Sequence, residues 1–237
     1  MRATTSDFRR WNLVMRDHAC AGNSGTLTKA SLCVGPSFTR FSAQDIPDAC
    51  LEHVIEMARL APSEWDVQPW RWIVVRSEAA KKQLEAATHI KVPLSSAPAI
   101  LICLADTLAW KSAPQHLQEM VANQRITEAE ARDALRSLRE YYSASPEVAR
   151  RTALASSFVA LHQMLLAAAE CNLSAYWVAE FDELKIKTHF HIPDHFLVAA
   201  LLPIGYRDET LPPPVPKLPL RALVYKEKFG ETLNAKP

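Results

Sequence analysis

Two uninterrupted apolar runs set the strongest limit on what this chain can fold into. "SSAPAILICLAD" (Ser95 to Asp106) and "HFLVAALLPIGY" (His195 to Tyr206) carry apolar side chains at odd and even positions alike and are bounded by turn residues. Successive side chains of a strand point to opposite faces, so runs with no polar alternate read as strands buried on both faces. A chain of 237 residues, 49% hydrophobic and with a net charge of +1, is long enough to enclose such strands in one sizeable core. A single α/β-type domain is the starting expectation.

The balanced charge and the lack of a basic stripe argue against nucleic acid or an anionic membrane as the main partner. The stretch Thr152 to Ala169 has no formal charge, yet Thr152, Ser156, Ser157, His162 and Gln163 make it too polar for lipid. It reads as a helix buried in protein. Five widely spaced cysteines (Cys20, Cys33, Cys50, Cys103, Cys171) form no C-x-x-C pair, which points to a reduced, cytoplasmic interior. Residues 1–24 lack a continuous apolar segment and read as a flexible tail outside the fold, not as a secretory signal.

Along the chain, Leu51, Val54, Ile55, Ala58 and Ala61 fall at helical spacing after Pro47, and Pro62 ends that helix. "WRWIVVR" (Trp70 to Arg76) is a strand by composition, and Glu78 to Thr88 a short helix. A charged insertion spans about 107–145, where Thr127-x-x-Glu130 has capping-box form and starts a helix reaching about Tyr142. Ser145 as N-cap and Pro146 in the first turn start the central helix, with Leu154, Phe158, Leu161, Leu165 and Ala168 as its stripe. Ser174 to Val178 reads as a short strand and Asp182 to Phe190 as a short helix. The proline-rich arm Leu211 to Leu220 must be extended and is expected to lie on the body or on a partner subunit.

No G-x-G-x-x-G or P-loop occurs among the five glycines, so any bound nucleotide must have its phosphate held by side chains. His189, His191 and His195 lack a convergent geometry and read as solvated loop residues, with no metal site expected. No G-x-S-x-G elbow is present, and His53 and His162 read as packing residues.

The segments "PSFTRFSAQDIPDACLEHVIEMARLAPSEWDVQPWRWIVVRS" (Pro36 to Ser77), "APAILICLAD" (Ala97 to Asp106), "LLAAAECNLSAYWVAEFDELKIKTHFHIPDHFLVAALLPIGY" (Leu165 to Tyr206) and "VPKLPLRALVYKEKF" (Val215 to Phe229) resemble, in order, those of the nitroreductase family. The resemblance implies an α+β fold, a three-layer sandwich with a central, mainly antiparallel sheet flanked by helices. This single domain would span 25–237, with the helical insertion and an extended arm over 211–237. It also implies a homodimer with FMN at the interface, served by NAD(P)H and a small-molecule substrate. In such enzymes the flavin takes the hydride, so no catalytic acid or base is assigned and the protein's task is to grip the cofactor.

Mapped onto the family pattern, the cofactor-binding positions are Ser37, Thr39, Arg40, Pro62, Ser63, Asp66, Gln68, Ala179, Glu180 and Lys217. Ser37, Ser63 and Gln68 match. The arginines that open the phosphate motif fall on Gly35 and Pro36, a later one falls on Thr39 with Arg40 one place along, and Lys217 stands where an arginine is usual. Hydrogen bonds to charged groups contribute about 1.5–3 kcal/mol each, so losing two weakens phosphate binding by roughly 10²–10⁴-fold. On the ring side the pattern's asparagine is Asp66, a carboxylate without an N–H, and the usual Gly-Gly turn is Ala179-Glu180. Trp65 could stack on a flavin or fill its space. The expectation is an FMN-dependent NAD(P)H oxidoreductase acting on a nitroarene, quinone, enone or related planar electrophile. The alternatives are a member with lost or altered FMN binding, either flavin-independent or consuming flavin as substrate, and a catalytically silent binding protein.

Overall fold

The computed structural model describes residues 40–89, 94–208 and 217–231. Ser37, Thr39, Cys20, Cys33, the 1–24 segment and most of the proline arm lie outside the described residues. The elements in order are α1 (Asp48–Arg59), β1 (Trp70–Val75), α2 (Glu78–Ala87), β2 (Ala99–Asp106), α3 (Ala113–Ala122), α4 (Glu128–Ser143), α5 (Pro146–Glu170), β3 (Ser174–Ala175), α6 (Glu183–Phe190) and β4 (Phe196–Gly205).

The four strands form one antiparallel sheet in the order β1-β2-β4-β3. As the apolar runs demand, β2 and β4 take the two central places. Ala99, Leu101 and Cys103 of β2, with Ala200, Leu202 and Ile204 of β4, face α1 and α5 and meet Leu51, Val54, Leu161 and Met164. Ile100, Ile102 and Leu104, with Val198 and Leu201, face the other way onto Leu84 of α2 and Ile186 of α6. These are the three layers of an α+β sandwich.

The parity of β4 changes along its length, because even-numbered Val198 shares a face with odd-numbered Leu201. The cause is a bulge. Cys103 pairs with Ala200 while Leu104 pairs with Val198, so Ala199 is an extra residue in β4 and shifts the alternation by one.

Helix ends follow the sequence signals. Thr127 and Glu130 form a reciprocal capping box, and Ser145 and Asp182 accept backbone N–H groups as N-caps of α5 and α6. Three expectations are corrected. Strand β2 starts at Ala99 and not at Ser95, because Leu94–Ser96 forms a 3₁₀ turn. The insertion holds a second helix, α3, that the sequence reading lacks; Pro114 sits in its first turn, where a missing N–H does no harm. In α5 the expected stripe is only part of the buried surface. Leu154 and Phe158 are half-buried, while Ala149, Thr152, Ala153, Ser156, Ser157 and Ala160 are buried. Small residues let α5 approach its neighbours over a wide arc. By length and composition this helix could cross a membrane, but 56% of its most apolar stretch is buried within the protein.

Candidate functional site

The segment between α1 and β1 forms a tight lip. Pro62 is exposed and prevents α1 from continuing, Ser63 is extended, and Glu64–Asp66 make a 3₁₀ turn. The Ser63 hydroxyl accepts the Gln68 N–H at 2.9 Å, the Ser63 carbonyl accepts the Asp66 N–H at 3.0 Å, and the Pro69 carbonyl accepts the Asp106 N–H at 2.7 Å. Trp65, Asp66 and Gln68 have φ of 56°, 51° and 47°. Left-handed backbone at non-glycine residues costs about 1–3 kcal/mol each and persists only where the surroundings over-determine it.

The insertion supplies much of that constraint. Trp65 and Val67 pack against Ala113 of α3, Leu138 and Tyr142 of α4, and Ala149 of α5, beside Trp110. Trp110 and Tyr142 stack with ring centroids 5.6 Å apart. Trp65 is thus engaged with the insertion. From α3, His116 Nε2 reaches Asp66 Oδ2 at 2.9 Å, with the two side chains 34% and 20% exposed. The hydrogen bond to Asp66 raises the His116 imidazole above its ordinary range, against the opposing effect of burial. Asp66 is therefore not the isolated carboxylate that its position in the pattern suggests.

Ala179 and Glu180 form an exposed turn between two short bridges. Val178 exchanges hydrogen bonds with Leu201 at 2.8 and 2.9 Å, and Glu180 accepts the His89 N–H at 3.0 Å. Neither residue has a positive φ, so the loss of the Gly-Gly pair introduces no backbone strain. Among the described residues the N–H groups of Ala179 and Glu180 have no acceptor, which leaves them available to a ligand edge.

Arg40 lies where the chain before α1 meets the end of β4. Phe41 bridges Arg207, the Ser42 N–H donates to Tyr206 at 2.7 Å, and the Arg40 guanidinium pairs with Asp208 at 2.8 Å. Gly205 permits this junction, since a Cβ there would lie 2.5 Å from Pro98 and 3.0 Å from Phe41. Lys217 is exposed at the start of the described part of the arm, where Leu218, Leu220, Leu223 and Phe229 are also exposed.

The structure thus gathers Pro62, Ser63, Asp66 and Gln68 into one lip and places Ala179-Glu180, Arg40 and Lys217 at other points of the chain. Cavities of about 460 and 390 Å³ lie between α3 and α4 and beside Arg76 and Lys81, and neither is lined by the lip. Toward a flavin ring the described residues offer two backbone N–H groups without an acceptor and a Gln68 carboxamide without a hydrogen bond among the described residues. For the phosphate they offer Arg40 and Lys217.

The sequence reading missed three features. His116 is one, although Ala113, His116, Leu117 and Met120 carry the i, i+3, i+4, i+7 spacing that places them on one helix face. His53 pairs with Glu170 at 3.0 Å across α1 and α5. Cys50 and Cys171, far apart in sequence, pack on the same core cluster, and the Cys50 thiol acts on Cys171.

The antiparallel four-stranded sheet between two helical layers is the fold of nitroreductase structures. The Nitroreductase family profile matches residues 37–206. A protein of Thermus thermophilus named NADH dehydrogenase is 30% identical over 190 residues, covering 79% of this chain and 90% of its own length. A structure from Exiguobacterium sibiricum solved in complex with FMN has a TM-score of 0.76 at 18% identity, covering 87% of this chain and 99% of its own. An enone reductase of gut-bacterial fatty acid saturation has a TM-score of 0.75 at 20% identity, covering 86% and 99%. The chain belongs to the nitroreductase family.

Proposed function

We propose that this protein is an FMN-dependent oxidoreductase that uses NAD(P)H to reduce a small planar electrophile such as a nitroarene, quinone or enone. The observation that carries this reading is the lip, whose Ser63 and Gln68 match the family pattern and whose strained backbone is fixed by Ser63 and by the insertion. When bound, FMN supplies hydride acceptance and donation. The chain's own residues then bind and orient: the Ala179 and Glu180 N–H groups and the Gln68 carboxamide serve the ring edges, and Arg40, Lys217, Ser37 and Thr39 serve the phosphate.

The working form is a homodimer in the cytoplasm, and the unit is one domain carrying an insertion and an arm. Two observations support pairing. The candidate groups lie at separate points of one chain, as expected for a slot walled by two copies. The surface also exposes Leu60, Val159 and Trp177 on the body and a row of apolar residues on the arm.

A second reading is favoured by the Arg40–Asp208 pair, which occupies a guanidinium that a phosphate would need. In this reading flavin is held weakly, consumed as a substrate, or not used. The absorption spectrum of the purified protein, before and after addition of FMN, tests the proposal. A flavin spectrum that survives desalting supports it; no retained flavin and no thermal shift in excess FMN refutes it.

A further inference from the structure

We propose that His116, carried in by the helical insertion, is a positioning residue that neutralises Asp66 and thereby lets this lip serve a flavin with a carboxylate where the family pattern has asparagine. This inference rests on the FMN reading given above.

A bare carboxylate at the ring pocket offers no donor and repels the electron-rich flavin edge. The geometry removes the repulsion. His116 Nε2 lies 2.9 Å from Asp66 Oδ2, and both side chains are mostly withdrawn from water, where charge pairing is stronger than on an open surface. As an imidazolium–carboxylate pair the two carry no net charge, which is the charge of the amide they replace.

The pair also joins two parts of the chain about fifty residues apart in sequence. Asp66 sits in a segment with three left-handed residues, and α3 is held to that segment by packing around Trp65 and Val67. His116 therefore anchors the insertion to the lip at Asp66. The charged groups acting on His116 are Asp66 from the lip and Glu119 on its own helix, and both favour the imidazolium. Glu64, also in the lip, faces Tyr142 of α4, whose hydroxyl is kept protonated chiefly by burial.

The test is an FMN titration by fluorescence with the wild type, His116→Gln, Asp66→Asn and the double variant. Glutamine keeps a hydrogen-bond donor but removes the charge. His116→Gln is expected to weaken FMN binding about tenfold, and the double variant to recover to within about threefold of the wild type, because the charge needing compensation is gone. Wild-type affinity falls as pH rises through the His116 titration, and Asp66→Asn flattens that profile. NMR of the flavin-free protein should show the His116 titration move down in Asp66→Asn. A double variant no tighter than His116→Gln, or a pH profile unchanged in Asp66→Asn, overturns this inference while leaving the FMN reading in place. A wild type that binds no FMN overturns both. If His116→Gln does not fold, Asp66→Asn and the wild-type pH profile decide the matter.

Discussion

Replacing Gly205 by alanine tests the packing where the chain before α1 meets the end of β4. An added Cβ would lie 2.5 Å from Pro98 Cδ, 2.7 Å from Pro98 Cγ and 3.0 Å from Phe41 Cδ1. The proline ring cannot rotate out of the way, and Phe41 is held by stacking on Tyr176 at 6.0 Å and by its bridge to Arg207. Relief must come from backbone movement at the junction of residues 40–42 with 206–208. Overpacking of this kind costs about 1–3 kcal/mol. For a chain of this size each kcal/mol lowers the melting temperature by about 2–4 °C, so the expected loss is about 2–12 °C. Thermal unfolding followed by circular dichroism reads it directly. A variant whose melting temperature stays within about 1 °C of the wild type would refute the close approach of Pro98 and Phe41 to β4.

Other predictions concern the core, the thiols and the lip. Leu202→Ala, at a fully buried site facing α1 and α5, is expected to cost about 2–5 kcal/mol by urea unfolding. Burial pushes the Cys103 thiol up to about 12, and burial together with the neighbouring Cys50 thiol pushes Cys171 up to about 11. Mass-spectrometric mapping of native alkylation at neutral pH should find Cys103 unmodified and Cys171 slow. Because the folded protein raises the His116 pKa, the stability this gives is fully present below the unfolded value of about 6.5 and is lost as pH rises through the folded value. The melting-temperature difference between wild type and His116→Gln should accordingly shrink from pH 6 to pH 9.

Much of the fold was legible because local signals agreed with burial. The apolar runs of β2 and β4 located the centre of the sheet, and Thr127, Glu130, Ser145 and Pro146 marked helix starts that the structure keeps. The wide buried face of α5 was hidden, since alanine and serine pack closely without adding to a hydrophobic stripe. The bulge at Ala199 left no mark among uniformly apolar neighbours. For the candidate site, Ser63 and Gln68 match positions of the family pattern, and the structure joins them by a hydrogen bond in one lip. The Asp66–His116 pair was not, because it depends on α3 folding back across the lip, a long-range contact that neither residue's surroundings in the sequence announce.

Anaerobic addition of NADH or NADPH to the FMN-loaded protein tests the central claim most directly, with the flavin absorbance band as the readout. The account predicts that the band bleaches with one of the two donors and returns on admission of air or of a quinone. A band that persists with both donors, in protein that retains its FMN, would contradict it.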